Sequence, residues 1–204
     1  TFGATAPTAS SGSPISATTA YAGAISAWGG DLCGAFIASL ITSETRWEVV
    51  GTAPNREFVI QFKNWRPTYS SSTTEVPFMN FQIRLDTATG KVKVVYGTCV
   101  DRVAPSTTYP QVGLGGGSAT VYNNRTIVAG GGDWINSTAG TANNNTMAYN
   151  GATIPSAGLT YTWTPPSCVA PTGLTAGNLT LNSATVSWTA SVSAPNGGYE
   201  YEVR

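Results

Sequence analysis

The sequence predicts an all-β chain whose main body is an antiparallel, jelly-roll-like β-sandwich, and three observations lead there. Apolar residues alternate with polar ones over short runs, most clearly in Asn80-Phe81-Gln82-Ile83-Arg84-Leu85. Such a period of two places one residue set on a buried face. Clusters of Gly, Asn, Pro and Asp punctuate those runs at short intervals, and no segment carries a helical period. Many short strands of this kind bury their apolar faces by packing two sheets against each other.

Residues 1–24 are mostly Ala, Ser, Thr, Gly and Pro and read as irregular surface chain, with order beginning near Ile25. Arg46-Trp47-Glu48-Val49-Val50 and Glu57-Phe58-Val59-Ile60-Gln61-Phe62-Lys63-Asn64-Trp65 flank a Pro-Asn turn and read as a hairpin. Phe58, Ile60 and Phe62 share one face of it. Phe81, Ile83 and Leu85 point inward in the next strand. Asp86-Thr87-Ala88-Thr89-Gly90 then turns the chain back, so that Val92, Val94 and Tyr96 join the same core. Val112-Gly113-Leu114, Thr126-Ile127-Val128 and Leu159-Thr160-Tyr161-Thr162-Trp163 are further short strands. The intervening loops, residues 97–110 and 129–152, are long for connectors and are the expected location of binding.

Composition removes several function classes. Charged residues make up 10% of the 204, ten basic and ten acidic, so the electrostatic footprint of a nucleic-acid binder is missing. No apolar run approaches the length of a membrane span. Histidine is absent, which excludes Ser-His-Asp and Cys-His catalysis within these residues. Carboxylates for a glycosidase pair exist, but none sits in a distinctive pattern. Asp31 and Asp133 each lie beside Trp in a Gly-rich turn, and one carboxylate per loop is thin for calcium. The expectation is a non-catalytic chain without metal or cofactor. Trp28 and Trp134, with Trp65, Tyr109 and Tyr122, are the candidates for a ligand-stacking platform; the competing expectation is that these aromatics fill the core. Asn124, Asn136, Asn144 and Asn178 each begin a formal N-glycosylation triplet, several of which arise by chance in so Asn/Thr-rich a chain.

Cys33, Cys99 and Cys168 lack the paired spacing of zinc sites. In an oxidising compartment the expected disulfide joins Cys33 with Cys99, both inside the first domain. It would contribute roughly 4 kcal/mol in the chain-entropy account. Cys168 then stays free or pairs outside these residues, and buried unpaired thiols are the alternative.

Three segments are expected: a sandwich domain over residues 1–164, lacking its N-terminal strands; a Pro-rich linker over 165–172; and a second β-module over 173–204. In the last, Leu174, Ala184-Thr185-Val186-Ser187-Trp188 and Tyr199-Glu200-Tyr201-Glu202-Val203 resemble the opening of a fibronectin type III domain, an immunoglobulin-like sandwich present here only in part. In the first, the run from Thr52 to Trp65, the strand Asn80 to Leu85 with its return to Tyr96-Gly97, Gln111-Val112-Gly113-Leu114-Gly115 and the closing Leu159-Thr160-Tyr161-Thr162-Trp163 resemble a sandwich module of large secreted and cell-surface Bacteroidota proteins. In that family such modules precede fibronectin repeats, and export uses type IX secretion. The resemblance implies an extracellular or outer-surface location and a structural or adhesive role. It implies as partners the other domains of the same chain, the secretion machinery, and a glycan or surface ligand. The alternative is an accessory, carbohydrate-binding domain of a secreted hydrolase. It also implies O-glycosylation at Thr87, since Asp86-Thr87-Ala88 has the Asp-Thr-small pattern these bacteria modify, and it falls on a hairpin tip.

Overall fold

The computed structural model describes residues 12–17, 23–34, 41–67, 78–100, 107–127, 132–165 and 172–189. The chain divides into two compact units, Thr1–Trp163 and Thr164–Arg204.

The first unit is an antiparallel β-sandwich. Its larger sheet contains β2 (Leu32–Gly34), β3 (Glu44–Thr52), β4 (Asn55–Pro67), β5 (Met79–Asp86), β6 (Val92–Tyr96) and β10 (Thr160–Trp163). The order is β10-β6-β5-β4, after which the long β4 carries β3 along one stretch of its far edge and β2 along the next. The smaller sheet, in the order β1-β7-β8-β9, is built from β1 (Ala24–Gly29), β7 (Gln111–Gly115), β8 (Tyr122–Thr126) and β9 (Thr138–Ala139).

Alternation sets the inner face of the larger sheet. Tyr161 lies opposite Val94, Val94 opposite Ile83, Ile83 opposite Ile60, and Ile60 opposite Trp47. A parallel row runs Trp163, Val92, Leu85, Phe58, Val49. Residues opposite one another in an antiparallel pair share a face, so both rows are apolar from one edge to the other. Burial is not uniform along them. Tyr161, Val94 and Ile83 are buried beneath the smaller sheet, Ile60 and Phe58 are half-buried, and Trp47 and Val49 are exposed. Ala27, Trp28 and Val112 cover the β10-β6-β5 side, where Tyr96 donates a 2.7 Å hydrogen bond across the sheets to the Ala27 carbonyl.

The 86–90 hairpin forms as the sequence implies. The Asp86 carboxylate accepts from the amides of Ala88 and Thr89, and Gly90 takes the left-handed φ of 69° that closes the turn. Between Phe62 and Trp65 the pairing of β4 with β5 shifts, with Asn64 at φ 56° and its amide held by the Asn80 side chain. This is a β-bulge that re-aims the end of β4.

Three expectations need correction. Within residues 1–24, the turn at 12–17 is no loose surface chain: Ile15 is buried, and the Gln111 side-chain carbonyl accepts from the amides of Ile15 and Ser16. The strand expected at 126–128 lies earlier, at β8, where polar Asn123 and Asn124 conceal it from periodicity. The 129–152 loop, expected to carry binding, sends part of its described chain into the core while leaving Ile135 exposed. A 3₁₀ turn at Trp134–Asn136 drives Trp134 inward, and Met147 and Tyr149 pack beside it.

In the second unit, β11 (Thr172–Gly177) pairs antiparallel with β12 (Thr185–Thr189), leaving Leu174 and Val186 exposed. Tyr199, Tyr201 and Val203 lie outside the described residues.

Candidate interaction surface

On the hairpin of β3 and β4 most of β3 is exposed, whereas β4 is largely half-buried and its Val59 buried. On the inner side, Trp47 is 70% and Val49 49% exposed. The Trp47 ring packs on Phe58 at 5.6 Å between centroids. Large apolar side chains adjoining on a surface strand mark interaction sites more often than isolated ones do. On the outer side Arg46, Glu48 and Val50 continue a polar ladder. There Gln82 donates to Gln61, Arg84 donates to Gln82, and both Arg84 and Lys93 bind Glu57. Hydrogen bonds from Lys93 and then Arg84 hold the Glu57 carboxyl below the usual glutamate range. The Arg46 guanidinium contacts the Glu44 carboxylate on its own strand. Among the described residues β3 pairs β4 and no other strand, so none of them covers its far edge.

The stacking candidates are dispersed, and the two leading ones are core residues. Trp28 is 8% exposed and meets Tyr149 edge-on at 4.5 Å. Trp134 is 1% exposed, and its indole N–H donates to the carbonyls of Ala148 and Thr153. Neither offers an open face, so the stacking role expected of them is corrected to core packing. Trp65 is half-buried with its indole N–H on the Glu44 carbonyl, and the Tyr122 hydroxyl donates to the Thr141 carbonyl. Tyr109 stands out at 59% exposed. It borders a cleft of about 290 Å³ walled by Trp28, Pro67 and Pro110, with Asp31 at the rim.

Cys33 and Cys99 are free thiols, which corrects the expected disulfide. Sheet register explains it. Cys33 pairs with Arg66 on β4, one residue beyond the Trp65 to Met79 pair, and Phe78 pairs with Val100. Three strand spacings of ~4.8 Å therefore separate the cysteines, roughly 14 Å in all, whereas a disulfide needs Cα atoms within about 7 Å. Burial pushes the Cys99 thiol up to about 11, against a smaller lowering by a backbone hydrogen bond of Asn80. Cys168 lies outside the described residues. Iodoacetamide at pH 8 should thus modify half-buried Cys33 in the native protein and reach Cys99 only after denaturant is added. Equal native labelling of the two, read by peptide mass spectrometry, would contradict this placement.

Thr87 is exposed at its hairpin tip, with its hydroxyl donating to the Arg56 carbonyl at 3.0 Å. Asn124 is buried, and its amide donates to the carbonyls of Ala142 and Asn143, which leaves no room for a glycan there. Among the described residues no group of three or more His, Cys, Asp or Glu side chains is placed to hold a metal ion. No helix among them is long and apolar enough to cross a membrane.

Residues 1–165, the whole sandwich with its closing strand β10, match the family described as NIDO related. The chain belongs to the NIDO-related family. Its NIDO-related domain is of an extracellular type, consistent with a structural or adhesive module. No curated protein and no solved structure matches the chain. Within the NIDO-related domain, Trp47 is a surface residue whose exposure the sequence pattern does not signal. A strand was expected over residues 46–50, but alternation alone does not tell an inward face that is covered from one that is not.

Proposed function

We propose that this chain is a non-catalytic structural or adhesive segment of a secreted or cell-surface multidomain protein. The observation that carries the reading is a NIDO-related domain joined in one chain to a second β unit. The missing histidine and the exposed apolar strip on the β3–β4 hairpin support it. The finer reading makes the source a Bacteroidota cell, the export route type IX secretion and the second unit a fibronectin type III module. It rests on the resemblance of the sandwich strands and of the sequence around Trp188. Fractionation of the native cells with an antibody to this chain should recover it at the surface or in the medium, and disabling type IX export should trap it inside. Cytoplasmic protein in wild-type cells would contradict the whole reading, whereas export independent of type IX would remove only the finer part.

Exposure of Thr87 supports its O-glycosylation after export. The intact mass of the native protein should exceed that of its polypeptide, and the excess should fall in Thr87→Ala; an unchanged mass would remove the modification.

The cleft beside Tyr109 favours a second reading, an accessory carbohydrate-binding domain of a secreted hydrolase. An exposed ring, proline walls and a rim carboxylate suit one sugar ring. Binding on a glycan array, abolished by Tyr109→Ala, would support it, and an array without signal would remove it.

A further inference from the structure

We infer that the open edge of β3 pairs with β3 of a second copy of this chain, joining the two larger sheets into one. An exposed strand edge presents a row of backbone donors and acceptors that another strand can satisfy. β3 is nine residues long, and its inner-face Trp47 and Val49 are exposed. The charges on its outer face choose both the partner and the register. In an antiparallel self-pairing, residues opposite each other share a face. Centring the pair on Trp47 sets Arg46 of each copy opposite Glu48 of the other, and the two Trp47 rings meet on the inner face beside Phe58. Moving the centre to Arg46 places like charges together, Arg46 on Arg46 and Glu44 on Glu48. Moving it to Glu48 places Glu48 on Glu48. Opposite charges across a strand pair stabilise it and like charges oppose it, so the Trp47-centred register is selected. Glu48 forms no ion pair with a described residue and is available for this contact.

The pairing is read from β3 itself; it deepens the adhesive reading by naming the partner as a second copy and rests on that reading only for its use at a surface. Sedimentation of the full chain should show a concentration-dependent dimer. Arg46→Glu and Glu48→Arg should each weaken it about tenfold or more, because each sets like charges opposite each other twice. Mixing the two single variants should restore dimerisation, since one then carries two acids and the other two bases. The double variant should also dimerise. Both positions are exposed, so unchanged circular dichroism and melting verify that the variants are folded. A chain monomeric up to ~1 mM, a dimer indifferent to these substitutions, or no recovery on mixing would overturn the pairing. So would a different protein occupying this edge while the chain itself stays monomeric. Dimers found on a protein that never leaves the cytoplasm would overturn the adhesive reading alone.

Discussion

Trp134→Ala should cost about 3–5 kcal/mol of folding stability, enough to bring a domain of ordinary stability near its unfolding threshold. The indole is 1% exposed, meets Tyr96 edge-on at 5.2 Å, and satisfies two loop carbonyls through its N–H. Truncation removes the ring from the core and leaves the carbonyls of Ala148 and Thr153 without that donor. It also loosens the 3₁₀ turn whose Trp134 carbonyl accepts from the buried Tyr161 hydroxyl. Trp134→Phe retains most of the apolar volume and should be milder, losing about 1–3 kcal/mol with the hydrogen bonds. Chemical denaturation read by circular dichroism separates the cases. If Trp134 were a surface platform, both variants would stay within about 0.5 kcal/mol of the parent.

Gly113→Ala should be nearly as damaging, at about 2–5 kcal/mol from overpacking and backbone strain together. Gly113 lies in β7 with φ 143°, between Ser26 of β1 and Asn124 of β8. A Cβ there would stand 2.4 Å from the Asn124 Cα and 2.5 Å from the Asn123 carbonyl oxygen, so β8 would have to move. Asn124 is itself buried and bonded to the carbonyls of Ala142 and Asn143, which spreads the displacement into the following loop. Gly117→Ala is the control. Nothing lies within 4 Å of its added Cβ, and the change should stay within about 0.5 kcal/mol.

The central hairpins were legible because Phe81, Ile83, Leu85, Val92, Val94 and Tyr96 alternate with polar residues and an Asp-to-Gly turn separates the two strands. A period of two reports that one face differs from the other. It does not report what covers that face. Phe58 and Ile60 therefore fall on the core side of the sheet as expected and are only half-buried, beside the exposed Val49 and Trp47 they pair with. β8 lies earlier than the expected 126–128 for the opposite reason: Asn124 is buried and takes its partners from loop carbonyls, so no apolar alternation marks the strand.

The surface was less legible than the fold. Gly-rich turns beside Trp28 and Trp134 suggested exposure, yet large aromatics next to small residues also fit where a turn folds back onto a core, as it does at both positions. Cys33 and Cys99 share a domain, but the distance between them depends on the order of strands β2, β4 and β5, which spacing along the chain does not encode. The Arg-Trp-Glu triplet at 46–48 was plain in the sequence. Its charge symmetry acquires meaning only once no described strand but β4 is found beside β3.

The tryptophans divide between core and surface, and oxidative footprinting tests that division most directly. Hydroxyl radicals applied to the native protein at high dilution, followed by peptide mass spectrometry, should oxidise Trp47 readily and leave Trp28 and Trp134 protected until the chain unfolds. Rapid native oxidation of Trp134, or protection of Trp47 in the dilute monomer, would contradict both the assigned core and the exposed hairpin face.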